Sequence, residues 1–121
     1  MAYLRYFLVF INHHSLSIIK ISQIVLKNNK PEIILNLSSD AGSISLNKSG
    51  DAYIYRTSKS ALNSITKNMS VDLKKKYGTT VLAIDPGNVQ SGMNSKGYME
   101  SDKCANMILE IISSNVEEND W

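Results

Sequence analysis

Two short aliphatic runs predict an α/β protein with a parallel sheet: Ile33–Leu37 and Val81–Ile84. Each follows a segment of helical periodicity and each is closed by a polar turn. A third helical segment comes last, so the order is helix, strand, loop, helix, strand, loop, helix. Alternation of this kind joins parallel strands through right-handed helical crossovers.

The first predicted helix covers residues 6–27. Leu16, Ile19, Val25 and Leu26 recur near helical spacing, and Ile18, Ile21 and Ile24 widen the apolar face, which suggests burial on more than one side. Asn28-Asn29-Lys30-Pro31 ends it, with Pro31 as the breaker. Ile33-Ile34-Leu35-Asn36-Leu37 has the profile of a buried parallel strand. Asp40 to Asp51, with Gly42, Gly50 and several Ser and Asn, is a predicted loop. A second helix covers 52–77, with Ala61, Leu62, Ile65, Met69 and Leu73 as its apolar stripe and Gly78 as its stop. The second strand, Val81–Ile84, is closed by Asp85-Pro86-Gly87. After a polar loop, residues 102–113 form a last helix with Ala105, Ile108, Leu109 and Ile112 on one face.

With 121 residues the chain is a single small domain, and its 43% hydrophobic and 20% charged composition is that of a globular protein. A net charge of +2 gives no argument for nucleic acid as a partner. The one basic run, Lys74-Lys75-Lys76, ends a predicted helix, where cations suit the helix dipole. Tyr6–Ile11 is too short for a signal-peptide core, and no run reaches the roughly 18 apolar residues of a membrane span. The single cysteine, Cys104, forms no internal disulfide, and a reducing, cytoplasmic setting fits best. His13 and His14 are adjacent, with no Cys, Asp or Glu cluster beside them, so no metal is expected. The Asn-x-Ser triplets at Asn36, Asn47 and Asn68 read as accidents without a secretory signal.

Ligands in parallel α/β sheets bind beyond the carboxyl ends of the strands. Ser38-Ser39 follow the first strand and Pro86-Gly87 follow the second. The helix that begins on the same side carries Tyr55 and Lys59, one turn apart and on one face. A cation beside a phenol stabilises the phenolate, which makes a tyrosine a better proton donor near neutral pH. Chance alone supplies about half of one such pair in a chain of this composition, so its surroundings carry the argument. Taken singly, a Ser pair and a Pro-Gly step are ordinary turn chemistry.

Three segments together are specific: Asn36-Leu37-Ser38-Ser39-Asp40-Ala41-Gly42, Tyr55-Arg56-Thr57-Ser58-Lys59-Ser60-Ala61-Leu62-Asn63, and Asp85-Pro86-Gly87-Asn88-Val89-Gln90-Ser91. In this order and spacing they resemble the second half of a short-chain dehydrogenase/reductase. Gly42-Ser43-Ile44, the loop before Tyr55, and Asn63 look like the C-factor and sniffer-like carbonyl reductase branch. The resemblance runs from about Phe10 to Ser114.

It implies NAD(P)-dependent interconversion of carbonyls and alcohols, with NADP or NAD as cofactor and a small-molecule substrate. Tyr55 matches the family's acid/base, and Lys59 the lysine that assists it and holds the nicotinamide ribose. Ser39 matches the serine on the substrate carbonyl. Asn12, 27 residues before Ser39, matches the asparagine whose main-chain carbonyl holds a relay water. Pro86, Gly87, Val89 and Ser91 match the segment contacting the nicotinamide amide and pyrophosphate, with Ser91 in place of the more usual Thr. The resemblance also implies a homodimer through helices 6–27 and 52–77.

One part of the family pattern does not occur. No Thr-Gly-x-x-x-Gly-x-Gly stands between a strand and a helix, so no glycine turn admits a pyrophosphate to a helix N-terminus. The expected fold is therefore a partial Rossmann-type one, a doubly wound parallel sheet lacking its N-terminal βαβ cofactor-binding half, with two strands from a sheet of about six. The chain is thus expected to be one truncated domain, 1–121. The alternative is an inactive remnant or a non-enzymatic interaction protein. The residues that choose NAD or NADP, and the substrate, are not readable from the sequence.

Overall fold

The structure is a computed structural model that describes residues 16–28 and 31–113, and the chain divides after Asp85 into two compact units. The first contains α1 (Ser17–Asn28), β1 (Ile33–Leu37), a 3-10 turn (Asp40–Gly42), α2 (Tyr53–Tyr77) and β2 (Thr80–Ile84). The second contains α3 (Ser101–Ser113).

β1 and β2 pair in parallel, from Ile33 opposite Thr80 to Leu37 opposite Ile84. Parallel neighbours require a crossover, and α2 supplies it. One more rung closes the ladder at the carboxyl end, where the Ser38 amide donates to the Ile84 carbonyl at 2.7 Å. At the other end the Thr80 amide reaches the Glu32 carbonyl at 2.8 Å, and the Thr79 hydroxyl reaches the Pro31 carbonyl at 2.8 Å. Both strands therefore stop at the same level, which sets Ser38-Ser39 and Asp85 on one edge of the sheet.

α2 packs on β2 and on the 3-10 turn. Its covered face is part apolar and part polar: Ser58, Leu62, Thr66 and Leu73 are buried, at helical spacing. The apolar stripe read from the sequence is right at Leu62 and Leu73, whereas Ala61, Ile65 and Met69 are only half-buried. Polar residues enter this face because β1 offers polar partners. The Asn36 amide donates to the Thr66 hydroxyl at 2.9 Å, and that hydroxyl donates in turn to the Leu62 carbonyl at 2.8 Å. No buried side-chain polar atom among the described residues lacks a partner, as a stable interior requires.

Both ends of α2 carry left-handed residues. Gly78, at φ 73°, closes the helix and its amide donates to the Lys74 carbonyl. Glycine adopts this conformation without a Cβ penalty. Ala52 precedes the first turn at φ 52°, ψ 43°, with no side-chain cap. An L-residue with a Cβ pays about 1–2 kcal/mol there. The Arg56 guanidinium braces the strained junction, donating to the Asp51 carbonyl at 3.1 Å and to the Ser49 hydroxyl at 3.0 Å.

The predicted helix 6–27 corresponds, within the described residues, to α1; Asn12, His13 and His14 lie outside them. Burial on more than one side is not what α1 shows. Ser22 is buried and Ile18, Ile19 and Leu26 are half-buried, but Ile21 and Ile24 are 59% and 64% exposed. The expected loop after β1 contains the 3-10 turn, because the Ser39 hydroxyl accepts from the Ala41 amide at 3.1 Å and caps it.

In the second unit the segment after Pro86 folds back on itself. The Gln90 amide donates to the Met99 carbonyl at 2.8 Å, and Ser91 and Asn94 exchange main-chain bonds at 3.1 Å. Gly97 lies against the Val89–Gln90 backbone, too close for any Cβ. The covered face of α3 differs from the sequence expectation. Cys104 is buried and Ile108, Ile111 and Ile112 are half-buried, while Ala105 and Leu109 face solvent. The face turns toward Cys104 because its thiol packs at the Pro86 carbonyl, 3.7 Å away.

Candidate active site

The strand-to-turn step at the end of β1 sorts the serine pair. Successive side chains of an extended chain alternate, so Ser38 turns inward and is buried, and its hydroxyl donates to Asn63 Oδ1 on α2. Ser39 is half-buried. Its hydroxyl accepts from Ala41 and donates to Asp40 Oδ1 at 3.2 Å.

Tyr55 and Lys59 occupy the first two turns of α2. The Lys59 ammonium lies 5.8 Å from the centre of the Tyr55 ring, within cation–π range. It donates to the Leu37 carbonyl, the last of β1, at 3.1 Å. Burial pulls the lysine below its ordinary pKa, and the negative charge of Asp85 opposes that shift. Tyr55 is 36% exposed, so its side chain is open to a ligand from solvent.

Close approach holds this arrangement together. Gly42 sits where a Cβ would come within 2.8 Å of the Lys59 main-chain carbonyl and 2.6 Å of the Asn63 amide. The Ser60 hydroxyl donates to the Gly42 carbonyl at 2.8 Å. The turn bearing Ser39 is thus seated directly on the helix bearing Tyr55 and Lys59.

Of the residues singled out in the sequence, Ser39, Tyr55 and Lys59 belong to the first unit, around the carboxyl end of β1. Asn12 is outside the described residues. Pro86, Gly87, Val89 and Ser91 belong to the second unit. There Gly87 turns at φ 75°, and the Ser91 hydroxyl accepts from the Asn94 amide at 3.2 Å. Sequence reasoning placed Asp85 in the turn closing the second strand and in the third family-like segment but gave it no role of its own. Its carboxylate accepts from the Asp40 amide at 3.0 Å, and the available signal was its place directly after a strand and before Pro86-Gly87.

A surface cavity of about 490 Å³ lies on a different face of α2, lined among others by Ser43, Ile44, Asn47, Tyr53 and Arg56. Its polar lining groups are engaged nearby: Ser43 with Ser45, Asn47 with Gly50, Arg56 with Ser49. Among the described residues no group of three or more His, Cys, Asp or Glu could hold a metal, and no helix is long and apolar enough to cross a membrane.

The chain is similar to proteins already known. Residues 7–101 match the family model described as short chain dehydrogenase. The C-signal protein of Myxococcus xanthus is 43% identical over 60 residues, which cover 50% of this chain and 36% of that protein. The solved carbonyl reductase Sniffer of D. melanogaster is similar at 39% identity and a TM-score of 0.64, over 71% of this chain and 34% of that one. A short-chain dehydrogenase/reductase from Burkholderia multivorans, solved with bound NADP, shares the fold at a TM-score of 0.78 and 22% identity, over 89% of this chain and 47% of its own. The chain thus spans between a third and a half of the proteins it matches.

Proposed function

Because this chain belongs to the short-chain dehydrogenase family, an oxidoreductase family, we propose that it provides the catalytic half of an NAD(P)-dependent enzyme interconverting carbonyls and alcohols. The observation that carries this reading is the Tyr55–Lys59 pair, with its lysine tethered to the end of β1.

The donor set fits the nicotinamide-ribose end of a dinucleotide. An ammonium has three protons; Lys59 gives one to Leu37, which leaves two for ribose hydroxyls. The bound cofactor would supply the hydride, which is chemistry no side chain here provides. The chain's own residues handle the proton. The Tyr55 phenol donates to the oxygen of the reacting carbonyl, and Ser39 rotates its hydroxyl from Asp40 to hold that oxygen. Asn12 is assigned the relay water through its main-chain carbonyl. Pro86, Gly87, Val89 and Ser91 are assigned the nicotinamide and pyrophosphate contacts. The family membership supports NAD(P) as the cofactor, NADP or NAD. A cytoplasmic setting accords with the lone buried thiol of Cys104.

Fluorescence titration of the purified chain with NADPH and NADH tests the reading. Saturable binding is expected, and Lys59→Ala should abolish it while the helical circular-dichroism signal stays. If the wild-type chain shows no saturation up to millimolar cofactor, the reading is wrong.

A further inference from the structure

Asp85 directly follows β2, and three observations give it a task. Its Oδ2 accepts from the Asp40 amide at 3.0 Å, across 45 residues of sequence. Asp40 opens the 3-10 turn, whose next amide, that of Ala41, is held by Ser39. The two leading amides of the turn are therefore satisfied by two side chains, one local and one sent across from the neighbouring strand. The Ser38–Ile84 main-chain bond at 2.7 Å brings the two strand ends side by side, so a short carboxylate suffices to span the gap.

We infer that Asp85 is a positioning residue of the Ser39, Tyr55 and Lys59 constellation: by accepting the Asp40 amide it fastens the turn that carries Ser39 to the end of β2. The inference rests on the functional reading of those three residues and adds to it the group that fixes Ser39 relative to α2. Without Asp85 the turn would keep its contact with α2 at Gly42 and the Ser38–Ile84 bond before it, but its leading amide would lose the tie to the end of β2. The same carboxylate acts on Lys59, since its charge opposes the loss of the ammonium's proton on burial. The other carboxylate at the turn, Asp40, is engaged by the Ser39 hydroxyl. Asp85 thus touches both halves of the constellation, the serine through geometry and the lysine through charge.

Two variants of the full chain separate those halves. Asp85→Asn keeps an oxygen for the Asp40 amide and removes the charge; Asp85→Ala removes both. In ¹⁵N-labelled protein, Asp85→Ala should speed hydrogen exchange at the Asp40 amide at least about tenfold, and Asp85→Asn should largely preserve its protection. The Lys59 titration midpoint, followed by carbon NMR at its ε position, should fall in both variants. If activity is measurable, kcat should fall more in Asp85→Ala than in Asp85→Asn, with KM changing less. An Asp40 amide as protected in Asp85→Ala as in wild type overturns the inference; a Lys59 midpoint unmoved in Asp85→Asn overturns the added effect of the carboxylate's charge on Lys59. Should Asp85→Ala not fold, the wild type decides it: an Asp40 amide that exchanges as fast as an unstructured peptide overturns the inference. The NMR arms require no cofactor, so failure of NADPH binding would remove the enzymatic reading and leave the role of Asp85 separately decided.

Discussion

Lys59 stands between two influences, and their balance gives its stability contribution a definite pH dependence. Burial favours the neutral amine, and the field of Asp85 opposes it without cancelling it, so the folded pKa lies below the ordinary value of 10.5. Between the folded pKa and 10.5 the unfolded chain binds more protons at this site than the folded one. Stability therefore rises with pH across that window. Below it, both states are protonated and the cost of burying the charge is present in full; above it, that cost is gone. The melting temperature of the wild type minus that of Lys59→Met should grow as pH is raised from 7 toward 10.5. A constant difference would show that the amine titrates alike in both states. The bond to the Leu37 carbonyl survives this titration, because a neutral amine still donates.

At the scale of elements, the β1–turn–α2 junction depends on two small residues. Gly42→Ala should cost about 1–3 kcal/mol in chemical denaturation, because the Lys59 carbonyl is backbone and cannot yield as a flexible side chain would. Ala52→Gly should do the opposite and stabilise by up to about 1 kcal/mol, by relieving the left-handed alanine. A loss of stability there would mean that glycine's extra freedom in the unfolded chain outweighs the strain. These two positions also mark how far the sequence could be read. β1 and the end of α2 at Gly78 were legible, since a bounded aliphatic run and a glycine stop are local signals. The strained Ala52 was not, because nothing local announces a left-handed alanine. The α3 face was misread because Ile108 and Ile112 fit two overlapping stripes, and only the neighbouring Pro86 carbonyl selects the one through Cys104. Tyr55 and Lys59 were legible as a one-turn pair. Asp85 was not, since its partner Asp40 is distant in sequence and its role arises only when the two strand ends align.

For the molecule as a whole, what stays uncovered is as informative as what is buried. The buried apolar set among the described residues is Leu62, Leu73, Val81 and Cys104, whereas Ile21 and Ile24 of α1 stand in solvent. Exposed aliphatic groups on one helix invite association, which accords with the homodimer expected from the family resemblance through the predicted helices 6–27 and 52–77. Light scattering of the full chain should report a dimer, and Ile21→Lys with Ile24→Lys should shift it toward monomer while circular dichroism stays unchanged. A wild-type chain that is monomeric at tens of micromolar would refute the dimer. The parallel pairing of β1 with β2 also bears on how the chain is made. Among the described residues Ile33 pairs with Thr80, with all of α2 between them. At ribosomal speeds of about 5–20 residues per second, the aliphatic run of β1 leaves the exit tunnel roughly 2–10 s before the strand it needs. During that interval the edge of β1 that β2 will cover stays unpaired, and the rate of translation through α2 sets how long.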